Sequence, residues 1–361
     1  MINFLIKRLS YALLTLWGVV TVIFFLFNIL PGDPAKMMLG QRSDISTIES
    51  IRKELGLDKS KGMQYLKYLN DLSIISFHNE KNEENYFYLD INKQNAKKLF
   101  NISSENIIVL KTPFLRRSYQ SKKLVSEIIG ETLPNTFILA LSSIIFASLL
   151  GVFLGIIAAI KKDSFFDRSS LLFSAFGMSL PSFFAAIIIG WIFAFVLSDI
   201  TGLNLTGNLY EIDDLGNGIH LQLKNLILPA LTLGIRPLAI VIQLTRNSML
   251  DVLSQDYIRT AKAKGLSFKQ IIWKHALKNS LNPVITAVSG WFASLMAGVV
   301  FIEYIFGWKG LGYIIVSSLN NYDIPVIIGC VLTISVIFII INTLVDILYG
   351  ILDPRIRLSN P

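Results

Sequence analysis

Long apolar runs separated by polar stretches of unequal length dominate the chain. They cover Leu9–Leu30, Phe137–Ile160, Leu171–Leu197, Leu226–Leu250, Val284–Phe306 and Pro325–Leu352. A hydrocarbon core about 30 Å thick is crossed by a helix of about 20 apolar residues. Every run reaches that length, so the pattern predicts an all-α membrane protein with six transmembrane helices. The first run follows Lys7-Arg8 and ends in Leu30-Pro31-Gly32-Asp33-Pro34. A signal peptide would have a shorter apolar region closed by small residues, so a retained span is expected. In the second run Gly151 and Gly155 form a small-xxx-small pair that admits a close helix. In the third, Pro181 within Ser179-Leu180-Pro181-Ser182-Phe183 predicts a kink, either a packing device or part of a pathway.

The polar stretches differ in kind. Residues 35–131 hold no apolar run and predict a mixed domain in the first loop. Ile48, Ile51 and Leu55 space as a short amphipathic helix stopped by Gly56, and Met63, Leu66 and Leu69 as another. The segments 86–91 (YFYLDI) and 106–110 (NIIVL) are candidate short strands. Lys122–Pro134 reads as a helix leading into the second span, with Leu124, Ile128 and Leu133 on one side.

The stretch Asp251–Pro283 between the fourth and fifth spans is long, basic and patterned as two helices around one glycine. Tyr257–Lys264 is rich in Ala and Lys and favours helix. Gly265 tolerates positive φ and serves as a stop. Ser267 with Gln270 makes a capping box that restarts a helix. Phe268, Ile271, Ile272 and Leu277 then share an apolar face, and Asn282-Pro283 is expected to close the segment. The product is a helical elbow held at a membrane surface: an interfacial amphipathic helix or a docking element.

Composition agrees with a membrane protein: of 361 residues 53% are hydrophobic and 16% charged, against about a quarter charged in soluble domains. The formal charge of +8 comes from basic residues beside apolar runs rather than from a nucleic-acid patch. Lys7, Arg8, Lys161, Lys162, Arg168, Arg246, the elbow, Arg355 and Arg357 fall on one side; the short loops opposite hold only Lys224 and Lys309. Cytoplasmic loops carry the excess of Lys and Arg, which predicts both termini and the elbow in the cytoplasm and the first loop outside. The lone Cys330 excludes an internal disulfide. His78, His220 and His275 are too far apart to suggest a metal site, and no phosphate loop, GxSxG or HExxH motif is present. Arg236, inside the fourth run, costs about 2.5–3.5 kcal/mol at a span centre unless it faces protein, water or the interface. It either lines a path and meets a substrate carboxylate or pairs with a neighbouring helix. Asn342 and Asp346 lie one turn apart, suited to a packing hydrogen bond or a substrate site.

The elbow's QDYIRTAKAKGLS followed by HALKNSLNPV resembles the coupling loop of ABC-importer permeases of the dipeptide/oligopeptide/nickel family. LPGDP after the first run, LPNT at 133–136 and the DPRIR ending resemble the same family. In the turn EYIFGWKGLG, Lys309 stands where the family commonly has proline. The resemblance implies the MetI-like fold of type I importer permeases. It divides the chain into an N-terminal helix (1–34), an extracytoplasmic loop domain (35–131) with an insertion near 77–112, a core (132–352) containing the coupling loop 251–283, and a cytoplasmic tail (353–361). It implies that Tyr257, Arg259, Thr260, Ala261, Ala263, Gly265 and Leu266 contact an ATPase. The implied partners are a second homologous permease, two cytoplasmic ABC ATPases that bind ATP-Mg, and an external solute-binding lipoprotein. The chain itself would hold no cofactor or metal and perform no hydrolysis, in a bacterial plasma membrane. Oligopeptides are the implied substrate, with dipeptides, nickel or a metal chelate as alternatives. A secondary transporter, the rival of another class, would show mid-span carboxylates and internal repeats; few and none are visible.

Overall fold

A computed structural model describes residues 2–29, 45–54, 56–83, 85–89, 96–212 and 218–352. The Leu30–Pro34 turn and the tail 353–361 lie outside them. Two compact units are present: Met1–Glu131 with Ser317–Thr333, and Thr132–Val316 with Ile334–Pro361.

The first unit begins with α1 (Ile2–Ile29), α2 (Ile45–Glu54) and α3 (Lys61–Leu72), followed by β1 (Ile75–Asn79), β2 (Lys97–Asn101) and β3 (Asn106–Leu110). The stop expected after α2 is made by Gly56 at φ +68°. Helix α3 starts at the Ser60 cap but buries a different face from the expected one. Met63 and Leu66 are exposed, whereas Gln64, Tyr68 and Asp71 are buried. Their polar atoms are satisfied nearby, which removes the penalty of burying them. Gln64 Nε2 donates to the carbonyls of Lys59 and Leu57, and Asp71 pairs with Lys67 at 3.0 Å. Tyr68 packs with Val20, Ile23 and Phe24 of α1 and with Leu332. The sheet order is β1-β3-β2, all antiparallel. NIIVL is a strand as expected and lies at the centre of the sheet; of the YFYLDI segment residues 86–89 are described, and among them Tyr88 makes an isolated bridge, to Asn79. Leu89, Ala96, Ile107 and Val109 form the small core beneath.

The second unit is mainly helical, and the helices Val125–Ile160, Leu311–Asn320 and Ile324–Leu352 are shared with the first. The segments are α4 (Val125–Ile160), α5 (Phe165–Ser179), α6 (Ser182–Trp191, running on as π-helix Ile192–Val196) and α7 (Ser198–Thr201). A hairpin of β4 (Tyr210–Ile212) and β5 (Ile219–Leu221) precedes α8 (Lys224–Leu253), α9 (Asp256–Ala263) and α10 (Phe268–Gln270). The path continues through π-helical Ile271–Ala276 into α11 (Leu277–Gly298), then α12 (Val300–Ile305), α13 (Leu311–Asn320) and α14 (Ile324–Leu352). Helix α4 absorbs both the expected lead-in helix and the second span and runs through Pro134. Gly151 and Gly155 do admit a close helix. A Cβ at Gly151 would meet Val241 and the Leu238 carbonyl, and one at Gly155 would meet Thr245 and the Ile242 carbonyl. The partner is therefore α8.

The predicted kink in the third run is a full break: α5 and α6 bend by 113°. Leu180 and Pro181 are both extended, because proline pushes the residue before it out of the helical region. Pro283 departs from expectation the other way. The helix does not close there but runs on to Gly298, since an exposed proline in a long apolar helix forfeits only one backbone bond. Among the described residues, α1, α4, α8 and α14 are long and apolar enough to cross a membrane, and α5–α6 makes five if the bent pair is one span. The expected fifth span is divided between α11 and α12, and α11 carries Asn282, Ser289 and Ser294 among its apolar residues.

Candidate functional site: a helical elbow

The elbow forms as its local chemistry dictates. Helix α9 ends where Gly265 takes φ +78°, with the Gly265 N–H donating to the Lys262 carbonyl and the Leu266 N–H to that of Ala261. Ser267 then closes a complete capping box with Gln270. Between the two arms, Asn279 Nδ2 donates to the Tyr257 hydroxyl at 2.8 Å.

The inner face is a hydrophobic cluster. Ile258 and Ala261 of α9 and Ile271, Ile272 and Ala276 of the second arm pack on Ile156 and Ala159 of α4 and Met249 of α8. Burying a side chain of Ile size contributes about 1.5–3 kcal/mol, so the elbow is seated firmly on the ends of two long helices. Phe268, expected on this face, is exposed. The wide π-helical turn instead brings Ile271 and Ala276, five residues apart, to the buried side.

The outer face carries Tyr257, Arg259, Thr260, Ala263 and Gly265, all exposed, with Lys262, Lys264, Lys269 and Lys274 around them. Two residues expected at an outside contact lie elsewhere: Ala261 is 7% exposed and Leu266 packs against the same inner cluster. They seat the elbow rather than present it. Among the described residues Arg259 reaches only the exposed Asp256, at 3.3 Å. A Cβ at Gly265 would meet nothing within 4 Å. Trp273, which sequence reasoning passed over, is exposed like Phe268.

Arg236 lies far along α8 from the elbow, beside the break between α5 and α6. Its Nε donates to the Met178 carbonyl at 3.4 Å, one of the acceptors freed where α5 ends. It lines a cavity of about 200 Å³ with Ser182, Thr232, Trp291 and Ser294 among its neighbours. Asn342 Nδ2 donates to the Phe338 carbonyl of its own helix.

Glu303 is fully buried. Its Oε1 accepts from the Thr136 hydroxyl at 2.7 Å, and its Oε2 from the backbone N–H groups of Gly312 and Tyr313 at 2.7 and 3.1 Å. The carboxylate thus sits at the N-terminus of α13, where the helix dipole favours it. A side chain at Gly310 would collide with it. Lys309, which replaces the expected proline, donates its backbone N–H to Asn208 Oδ1 at 2.7 Å, a bond that proline could not make. On the same unit Asp167, itself buried, accepts Arg246 Nε and a terminal guanidinium nitrogen at 2.5 and 2.7 Å, so Arg246 is neutralised rather than free.

A helical membrane unit with a basic elbow seated on its helix ends is the form of a transport component. Residues 151–358 match the family of the binding-protein-dependent transport system inner membrane component, and residues 1–85 match the N-terminal model of the same system. The chain belongs to this family. It is 33% identical over 370 residues to the dipeptide transport system permease protein DppB of Alkalihalophilus pseudofirmus, covering 99% of this chain and 100% of the relative. It is 32% identical to the protein of the same name in Escherichia coli K12 over 376 residues, and to the glutathione transport system permease protein GsiC of Salmonella paratyphi A over 357, each covering 99% of both chains. Among solved structures, the MetNI methionine ABC transporter in inward-facing conformations is similar at a TM-score of 0.49 and 14% identity, over 63% of this chain and 97% of that one.

Proposed function

We propose that this chain is a permease subunit of an ATP-driven importer and forms part of the path for short peptides delivered by an external binding protein. The elbow carries the reading: an exposed basic surface on α9 and Gly265, backed by a buried cluster that grips α4 and α8. Such an element transmits a push from outside the chain into the helices beneath it. The partners are a second, similar permease, two cytoplasmic ABC ATPases that bind ATP-Mg, and a solute-binding lipoprotein. Tyr257, Arg259, Thr260, Ala263 and Gly265 form the contact, with Ala261 and Leu266 as its seat. Closure of the ATPases on nucleotide displaces the elbow as a body, and the spans change from inward- to outward-open, an exchange between two discrete packings.

The topology is six spans of the MetI-like fold, with α5–α6 as one broken span and α11–α12 as the fifth. The charge distribution supports cytoplasmic termini and an extracytoplasmic first-loop domain, in a bacterial plasma membrane. The likeness to dipeptide and glutathione transport system permeases favours short peptides over nickel or long oligopeptides. The test is co-purification from cells expressing the chain with its neighbouring ATPase genes. An ATPase retained by the wild type and lost on reversing the charge of Arg259 and Lys264 supports the reading. Energy-coupled peptide uptake by the chain alone would place it among secondary transporters.

A further inference from the structure

Arg236 is left with unused binding capacity in an apolar setting. It occupies the interior of α8, a helix apolar enough to cross a membrane. Among the described residues no carboxylate pairs with it, and its one hydrogen bond is the long contact from Nε to the Met178 carbonyl. Both terminal guanidinium nitrogens, the bidentate fork that suits a carboxylate, are therefore without a partner. The side chain is exposed because it opens on the cavity of about 200 Å³ beside the break in the third run.

The other walls of that cavity point the same way. Ser182, the first residue of α6, lines it, and α6 has no side-chain cap, so its first N–H groups and the positive end of its dipole remain available. The indole nitrogen of Trp291, on the α11 side, has no partner among the described residues. Gly177 and Gly298 also line the space. An unpaired cation, free N–H donors and a hollow facing them form a receptor for an anion, and no acidic residue is among the lining residues.

We propose that this cavity is a carboxylate-recognition point on the translocation path, with Arg236 as the cation that engages the C-terminal carboxylate of a passing peptide. The proposal rests on the permease reading above. A contact of this kind lowers the barrier that a charged peptide terminus meets in the spans, and its single-sided, partly solvated geometry keeps it weak enough to release the substrate. An anionic lipid headgroup has the same chemistry and is separated from peptide by the test.

The complete importer is reconstituted with its binding protein in vesicles of neutral phosphatidylcholine, and in a second set containing phosphatidylglycerol. Uptake of a labelled dipeptide and ATP hydrolysis stimulated by the loaded binding protein are measured for wild type, Arg236→Gln and Arg236→Lys. The expected result in both vesicle types is an uptake at least tenfold lower for R236Q, stimulated hydrolysis within twofold of wild type, and substantial recovery of uptake by R236K. Undiminished uptake by R236Q overturns the proposal. So does a parallel loss of hydrolysis not rescued by R236K, which would make Arg236 a structural support of the α5–α6 break. An effect confined to phosphatidylglycerol vesicles assigns the site to lipid and overturns it as well. Failure of the permease reading is distinct: the wild-type assembly then shows no ATP-dependent uptake at all.

Discussion

Asn279 donates to the Tyr257 hydroxyl across the mouth of the elbow, 2.8 Å apart and 22 positions apart in sequence. It is the side-chain bond that joins the first arm to the second. A hydrogen bond of this kind contributes about 0.5–1.5 kcal/mol, and less where water competes. Tyr257→Phe should therefore leave folding and assembly intact while loosening the angle between the arms. Peptide uptake should fall several-fold with ATP hydrolysis retained, and Asn279→Ala should do the same. The double variant should be no worse than either single one, since both remove one bond. Additive losses in that cycle would refute a shared role.

The carboxylate of Glu303 predicts a large stability effect. Glu303→Ala removes the acceptor for the Thr136 hydroxyl and for the N–H groups of Gly312 and Tyr313. Buried donors left without partners cost about 1–3 kcal/mol, more where the lost acceptor was charged. A drop of several degrees in melting temperature in detergent is expected. Gly310→Ala should produce a similar drop, because its methyl group would enter the space of the carboxylate.

Lys309 separates backbone from side chain. Its backbone alone makes hydrogen bonds among the described residues: the N–H donates to Asn208 Oδ1 and the carbonyl accepts from Asn135 Nδ2 at 2.9 Å. Lys309→Ala should be neutral. Lys309→Pro should raise hydrogen exchange around Gly207–Tyr210, where the Asn208 carbonyl accepts from Asn225 and its N–H meets Glu211. Equal exchange in the two variants would show that the bond holds nothing in place.

His78 gives the first-loop domain a pH dependence. It is fully buried. Its Nδ1 donates to the Phe87 carbonyl at 3.1 Å, which leaves Nε2 to accept from the Ser76 hydroxyl at 3.0 Å. Burial first, then the nearby Lys67 charge, bring its pKa down to about 4; the Phe87 bond and Asp71 oppose the shift and Lys111 adds to it. The unfolded chain, with an ordinary pKa of about 6.5, holds more protons between these two values, so stability rises with pH across that window. The contribution is complete above about pH 6.5 and is lost as pH falls toward 4. Hydrogen exchange of β1 and β3 in the solubilised chain, corrected for intrinsic rates, should show weaker protection at pH 5 than at pH 7. The difference should vanish in His78→Asn.

Much of this was legible in the residues. The Ser267–Gln270 box, the Gly265 stop and the Gly151/Gly155 contact are local or short-range, and each appears as its chemistry requires. The elbow's inward side was partly misassigned because a π-helical turn has no signature in a 3.6-residue pattern: Phe268, expected inside, is exposed, and Ala276, for which no role was expected, is buried. Helix α3 misled for another reason. Its buried residues are polar, and their satisfaction depends on Lys59, Leu57 and Lys67, which a hydrophobic stripe does not register. Glu303 and Asp167 have no local signature, because their partners, Thr136 and Arg246, lie 167 and 79 residues away.

The central claim is that the outward face of the elbow meets a cytoplasmic ATPase. It is tested by placing a single reporter at Ala263→Cys, with Cys330, which is buried, replaced by serine. A membrane-impermeant maleimide is applied to inside-out and right-side-out vesicles, with and without the ATPases. Labelling is expected in inside-out vesicles only, with strong protection once the ATPases are bound. Labelling from the external side, or equal labelling with and without the ATPases, would contradict it.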